Sequence, residues 1–202
     1  MGYLGNQITT VFPTSISVDS ATISGNASVG GTLGVTGVST LSDNIVFDAS
    51  SKGVHLGVTS ATASNLLDDF EKGTFAADLE ASGATITQSI SRGDYTKIGN
   101  TVYFNIYVQI DGTFSGNGND TKIQGLPFTS ANNSQRVYFN YAPVRYVDFD
   151  SGYNALVGYI NNNDTNVQLY QIGDNVVLKA LPSSSLSNAS GQIFVQGFYH
   201  ID

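Results

Sequence analysis

The chain has 202 residues, 22 of them glycine, with 11 Tyr, 11 Phe, no Trp and no Cys, and only 12% of it is charged. Sixteen acidic against eight basic residues leave a net charge of -8, which repels phosphate backbones and argues against nucleic-acid binding, while the lack of cysteine removes disulfides, thiolate metal sites and cysteine catalysis. Helix formers are scarce and Val, Ile, Thr, Tyr and Phe are plentiful, so the expectation is an all-β protein held together by packing alone.

The first 22 residues carry Tyr3, Leu4, Ile8, Val11 and Phe12, apolar enough to dock against another surface and too few to fold. They lack the basic n-region and long h-region of a secretory signal, and the chain has no run of 18 apolar residues, so membrane insertion is not expected.

Residues 23–65 begin with three hexads that each open on glycine: Gly25-Asn-Ala-Ser-Val-Gly30, Gly31-Thr-Leu-Gly-Val-Thr36 and Gly37-Val-Ser-Thr-Leu-Ser42. Apolar side chains fall at Val29, Leu33, Val35, Val38 and Leu41, then Ile45 and Phe47, and the pattern reads as short strands punctuated by turns. Charge is nearly absent: Lys52 is the first basic residue, preceded only by Asp19, Asp43 and Asp48. Each repeat is too thin to bury its own apolar side, and three hexads are too few for a single-chain solenoid. The expected solution is several identical chains wrapped about one axis, with a flexible linker as the alternative.

Residues 66–73 gather Asp68, Asp69 and Glu71 around Phe70, with Asp78 close behind. They read as a collar whose acids are solvated. Threefold symmetry could bring the carboxylates around a hard cation, but no complete calcium-loop spacing is present and no metal is assigned.

Residues 74–202 show conventional strand signals at 84–91, 101–110, 136–141, 154–160, 166–172, 175–181 and 192–199, with two-residue hairpin chemistry at Gly99-Asn100 and Gly173-Asp174. The expected architecture is an antiparallel β-sandwich head, with Phe104 and Phe139 in its core. Gly116-Asn-Gly-Asn119 lacks the Lys-Ser/Thr of a phosphate loop and reads as a surface loop. Asp148-Phe-Asp-Ser-Gly152 fails as a calcium loop; Asp148 and Asp150 could share a strand face as a glycosidase pair does, but a turn is the simpler reading. His55 and His200 have no nucleophile elbow to serve. Tyrosine and asparagine interleave between Tyr138 and Tyr170, a chemistry suited to sugar or protein surfaces. The receptor-binding candidates are the loop residues Asn117, Asn119, Tyr153, Asn161, Asn162, Asn163 and Asp164.

Three blocks, Asp69-Phe-Glu-Lys-Gly-Thr-Phe75, Gly93-Asp-Tyr-Thr-Lys-Ile-Gly-Asn-Thr-Val102 and Ile123-Gln-Gly-Leu-Pro-Phe-Thr-Ser130, resemble in order the C-terminal region of tailed-bacteriophage fibre proteins. Ile23 to Ser42 is similar to the shaft segments placed before such heads. The family often has Trp where Phe75 stands, followed by a proline-containing stretch; here Ala76-Ala77-Asp78 follows.

The resemblance implies a homotrimeric virion fibre without cofactor, its N-terminus attached to other virion proteins and its head facing a host-surface glycan or protein. Tyr3, Leu4, Ile8, Val11 and Phe12 would then form the virion anchor. The expected function is structural and non-enzymatic. The rival readings are a capsid head fibre or decoration, and a polysaccharide depolymerase acting through paired carboxylates. Against the depolymerase stand the short chain and the missing long β-helix.

Overall fold

The computed structural model describes residues 22–115, 120–133, 137–139, 142–186 and 190–202. The anchor candidates Tyr3, Leu4, Ile8, Val11 and Phe12, and the loop candidates Asn117 and Asn119, lie outside the described residues, as does the side chain of Phe139. The chain falls into two units, Met1–Ile45 and Val46–Asp202. The described residues contain no α-helix, and none of their helical turns is long and apolar enough to cross a membrane.

In the first unit, residues 22–45 form no strand and all are exposed, Leu33 by 72% and Val38 by 93%. The short strands expected there do not form within a single chain. The physical reason is that a six-residue repeat has no neighbouring edge in its own chain to take up its N–H and C=O groups.

The described residues of the second unit form thirteen strands: β1 (Val54–His55), β2 (Leu66–Leu67), β3 (Phe70–Phe75), β4 (Asp78–Glu80), β5 (Thr85–Ile98), β6 (Thr101–Ser115), β7 (Lys122–Gln124), β8 (Val137–Phe139), β9 (Val144–Arg145), β10 (Ala155–Ile160), β11 (Asn166–Ile172), β12 (Lys179–Ala180) and β13 (Gln192–His200). Two short 3-10 turns, Ala63–Asn65 and Ser183–Leu186, interrupt them. All pairings are antiparallel. One sheet runs β3-β5-β6-β13-β9 and the other β4-β7-β11-β10-β8, with β12 paired to β11; β1 and β2 form a separate small ladder.

The two large sheets share one apolar core, which makes the unit the expected antiparallel sandwich. Strand β6 alternates as its sequence requires: Val102, Phe104, Ile106, Val108 and Ile110 are buried, while Thr101, Tyr103, Asn105, Tyr107 and Gln109 face away from the core. From β13, Ile193, Val195 and Tyr199 join the inner side, and Leu79, Ile123, Leu156, Ile160, Val167 and Leu169 come from the facing sheet. The ladder between β5 and β6 slips on either side of Gln88. There the Gln88 side-chain carbonyl accepts the Leu79 N–H at 2.9 Å, tying β5 to the facing sheet.

Gly99 and Asn100 form the two-residue connection between β5 and β6, with Gly99 at φ +55°, a left-handed backbone that glycine adopts without penalty. The second predicted hairpin differs. Instead of a tight turn at Gly173-Asp174 and a strand over 175–181, the chain pairs again only at Lys179–Ala180, opposite Gln171 and Tyr170. Residues 173–178 are tied elsewhere: the Tyr153 hydroxyl donates to the Val177 carbonyl at 2.9 Å, and a Cβ on Gly173 would stand 1.8 Å from the Gly152 carbonyl oxygen. Tertiary contacts to the 150–153 turn thus win over local hairpin chemistry.

The segment expected as a collar is divided. Leu66 and Leu67 pair with His55 and Val54, whereas Phe70 to Gly73 already belong to β3, an outer strand of the five-stranded sheet.

Candidate functional site

The three sequence blocks that carry the resemblance meet on β3, β5 and the loop after β7. Cross-strand pairing sets Glu71 opposite Lys97, Gly73 opposite Tyr95 and Phe75 opposite Gly93. The Tyr95 ring lies over Gly73 and the Phe75 ring over Gly93, so each glycine makes room for an aromatic ring of the partner strand. Phe128 packs edge-on against Tyr95 with ring centroids 5.4 Å apart, and Lys97 Nζ lies 5.5 Å from the Phe128 ring centre. Tyr199 closes the cluster, donating to the Phe128 carbonyl at 3.0 Å and accepting its N–H at 3.2 Å.

Three of the acids of this region have partners within the fold. Asp69 pairs with the buried Lys97 ammonium, Glu71 accepts the Tyr95 hydroxyl, and Asp78 accepts the Ser91 hydroxyl at 2.5 Å. The hydrogen bond to the Glu71 carboxylate raises the Tyr95 pKa, with burial adding to it. Among the described residues no group of three or more His, Cys, Asp or Glu is placed to hold a metal.

Asp150 accepts Lys179 Nζ and Gln171 Nε2, each at 2.6 Å, while its own N–H donates to Gln171 Oε1 at 3.0 Å. The Lys179 hydrogen bond, then that of Gln171, lowers the Asp150 pKa. A general acid of the glycosidase type needs the opposite shift. The Asp150 carbonyl accepts the Tyr153 N–H at 3.0 Å, and the segment is a turn.

The described loop candidates do not converge. Asn161 to Asp164 connect β10 to β11, whereas Tyr153 precedes β10, so they stand at opposite ends of a strand of six residues, about 20 Å long. The Asp164 carboxylate turns into its own loop: Oδ1 accepts the N–H groups of Thr165 (2.8 Å) and Asn166 (3.2 Å) and the Asn166 side-chain amide at 2.5 Å. Ser130 braces the same turn, donating through Oγ to the Asn161 carbonyl at 2.6 Å and accepting the Asp164 N–H at 3.0 Å. Asn163 takes φ +53° at its tip.

A concave, chemically mixed surface lies instead on the outer side of the five-stranded sheet. Strand register places three cross-strand rows there: Arg92, Tyr107 and Phe194; Asp94, Asn105 and Gln196; Thr96, Tyr103 and Phe198. Tyr107 and Phe194 stack at 4.6 Å and 5°, and Tyr103 and Phe198 lie 5.9 Å apart at 42°. Between these aromatic pairs the middle row is polar. Two clefts, of about 460 Å³ and 680 Å³, open on either side of it, and both are lined by Asp94, Asn105 and Gln196. Arg92 bonds Asp94 at 3.0 Å, so the only ion pair of this surface among the described residues is internally neutral.

Loop-centred reasoning passed over these residues. The signal was present in the alternation of Tyr103, Asn105 and Tyr107 against Phe104 and Ile106, and of Phe194, Gln196 and Phe198 against Val195 and Tyr199. What it lacked was the register that sets the two runs side by side.

No family model matches the chain, and comparison with curated proteins finds no match. Among solved structures, the crystal structure of Dettilon tailspike protein (gp208) is similar over 65% of this chain, with a TM-score of 0.54 and 22% sequence identity. The match spans 24% of the length of that chain, and at this identity the likeness is one of fold.

Proposed function

We propose that the protein is a non-enzymatic structural component of a phage particle, a homotrimeric fibre or spike of the virion tail that attaches it to the host surface. The observation that carries this reading is the fold shared with the Dettilon tailspike, joined to a repeat whose apolar side chains are exposed in the single chain. Three copies would bury those side chains together and present three heads, turning weak individual contacts into avid binding. Tyr3, Leu4, Ile8, Val11 and Phe12 would then join the fibre to its particle. The Asp150 carboxylate is taken up within the fold by Lys179 and Gln171, which supports attachment over hydrolysis at that turn.

Two measurements test the reading. Light scattering of the full-length chain is expected to give three times the chain mass; a monomer would remove the trimer and the shaft. Purified protein is expected to compete with the particle for adsorption to its host, and particles that adsorb equally well in its presence would remove the attachment role.

A further inference from the structure

We propose that the two adjoining clefts on the outer face of the five-stranded sheet form one groove for an uncharged oligosaccharide of two or more sugar units. The inference rests on the attachment reading and assigns it a ligand class and a place. Tyr103 and Phe198 are exposed by 51% and 47%, and Phe194 by 38%, although a solvent-facing sheet side ordinarily presents polar residues. Standing in pairs on either side of a polar row, the rings supply apolar walls of the kind against which the C–H face of a sugar ring packs.

The row between them supplies the complementary chemistry. Asn105 and Gln196 each carry a donor and an acceptor, and Asp94 adds acceptor oxygens, so adjacent hydroxyls, which both donate and accept, are matched along the floor. Because Arg92 and Asp94 neutralise each other and the whole chain carries -8, the groove has no excess positive charge to hold an anionic polymer. Tyr103 and Tyr107 are four residues apart on β6, about 13 Å along the strand, a span for a short oligosaccharide and not for a single sugar. The cleft volumes of about 460 Å³ and 680 Å³ fall within the range of roughly 300–1,000 Å³ typical of small-ligand sites. A second copy of the chain is the weaker occupant, since a dry interface here would strip water from the Arg92–Asp94 pair and from two side-chain amides.

The test presents the full-length protein to an array of neutral gluco-, galacto-, manno- and N-acetylglucosamine oligosaccharides alongside uronic-acid and sialylated ones. Binding is quantified in solution by tyrosine emission, which no tryptophan masks in this chain. At least one neutral oligosaccharide is expected to bind, and Asn105→Ala, Gln196→Ala and Phe194→Ala are expected each to weaken it by about tenfold at unchanged mass in light scattering. Binding of acidic glycans alone, binding untouched by all three substitutions, or no binding would overturn the proposal. Loss of the oligomer in these variants would assign the face to contacts between copies and overturn it equally. If the protein blocks particle adsorption while no neutral glycan binds, the groove assignment falls and the attachment role stands; if it does neither, both fall.

Discussion

The ammonium of Lys97, buried on β5, closes on the carboxylate of Asp69, 28 residues earlier at the entrance to β3. Asp69 remains 46% exposed at its side chain while Lys97 shows only 9%, so the two partners do not contribute symmetrically. Removing the acid leaves a desolvated cation, whereas removing both leaves an apolar gap that a hydrophobic side chain can fill.

Asp69→Ala is therefore expected to lower stability by about 1–3 kcal/mol, less than a fully buried pair because the acid is half solvated. The double variant Asp69→Ala with Lys97→Met is expected to recover most of that loss. Urea unfolding of the three proteins checks the order, and a double variant less stable than Asp69→Ala would contradict it.

Two glycines, Gly93 beside this region and Gly173 against the 150–153 turn, separate two kinds of crowding. A Cβ on Gly93 would meet the Phe75 ring at 2.2 Å, and one on Gly173 would meet the Gly152 carbonyl oxygen at 1.8 Å. A ring can tilt, but a backbone carbonyl in a tied turn cannot. Gly93→Ala should cost about 1–3 kcal/mol and be partly relieved by Phe75→Leu. Gly173→Ala should cost more than about 3 kcal/mol, with no single side-chain substitution relieving it. Denaturation midpoints compare them directly.

Asp150 and Lys179 link stability to pH at both ends. The Asp150 pKa is lowered by its hydrogen bonds from Lys179 and Gln171, so its contribution is present above the unfolded value of about 4 and is lost as pH falls toward the folded value. The Lys179 pKa is raised by the same bond; its contribution is present below the unfolded value of about 10.4 and is lost as pH rises through the folded value. Asp150→Asn should flatten both limbs of the stability profile measured by urea unfolding. Unchanged limbs would show that the pair contributes nothing in solution.

Tyr199 predicts a further alkaline loss. Burial pushes its pKa up to about 12, against the Phe128 N–H, whose hydrogen bond to the phenol oxygen lowers it. The unfolded phenol ionises from about pH 10, so stability is complete below that and falls by roughly 2–3 kcal/mol as pH rises toward 12. Tyr199→Phe should start less stable by about 1–2 kcal/mol, through the lost bonds to Phe128, and show a shallower decline between pH 10 and 12. An equally steep decline in the variant would assign the effect to other tyrosines.

The repeat gives a prediction about assembly. Placing Asp at Leu33, Val35 and Leu41 in the full chain would set like charges around the proposed common axis, and is expected to lower the light-scattering mass to that of a single chain. The circular dichroism of the β-sandwich should persist, since none of these residues belongs to its core. An undiminished mass would show that the copies meet elsewhere.

Much of the fold was legible from residue order. Glycine with asparagine at 99 and 100 marked the β5–β6 reversal, and Phe104 was identifiable as core from its alternating run. That Gly173-Asp174 would not close a tight hairpin was not legible, because it depends on the Tyr153 hydroxyl and the Gly152 backbone, both distant in sequence. The spacing of the loop candidates was likewise not legible: Asn161 to Asp164 and Tyr153 share a composition, and β10 sets them at opposite ends of one strand.

By itself the sequence determined which residues turn inward, since strand alternation has a period of two whatever the neighbouring strand is. It also determined that Gly25 to Ser42 has too little side chain to fold alone. Only the tertiary structure decided that β13 lies beside β6. That pairing sets Phe194 against Tyr107, Gln196 against Asn105 and Phe198 against Tyr103, and turns two unremarkable alternating runs into one groove. The reason is that pairing between strands far apart in the chain depends on how all the apolar faces close over a common core, and no local stretch of residues encodes that closure.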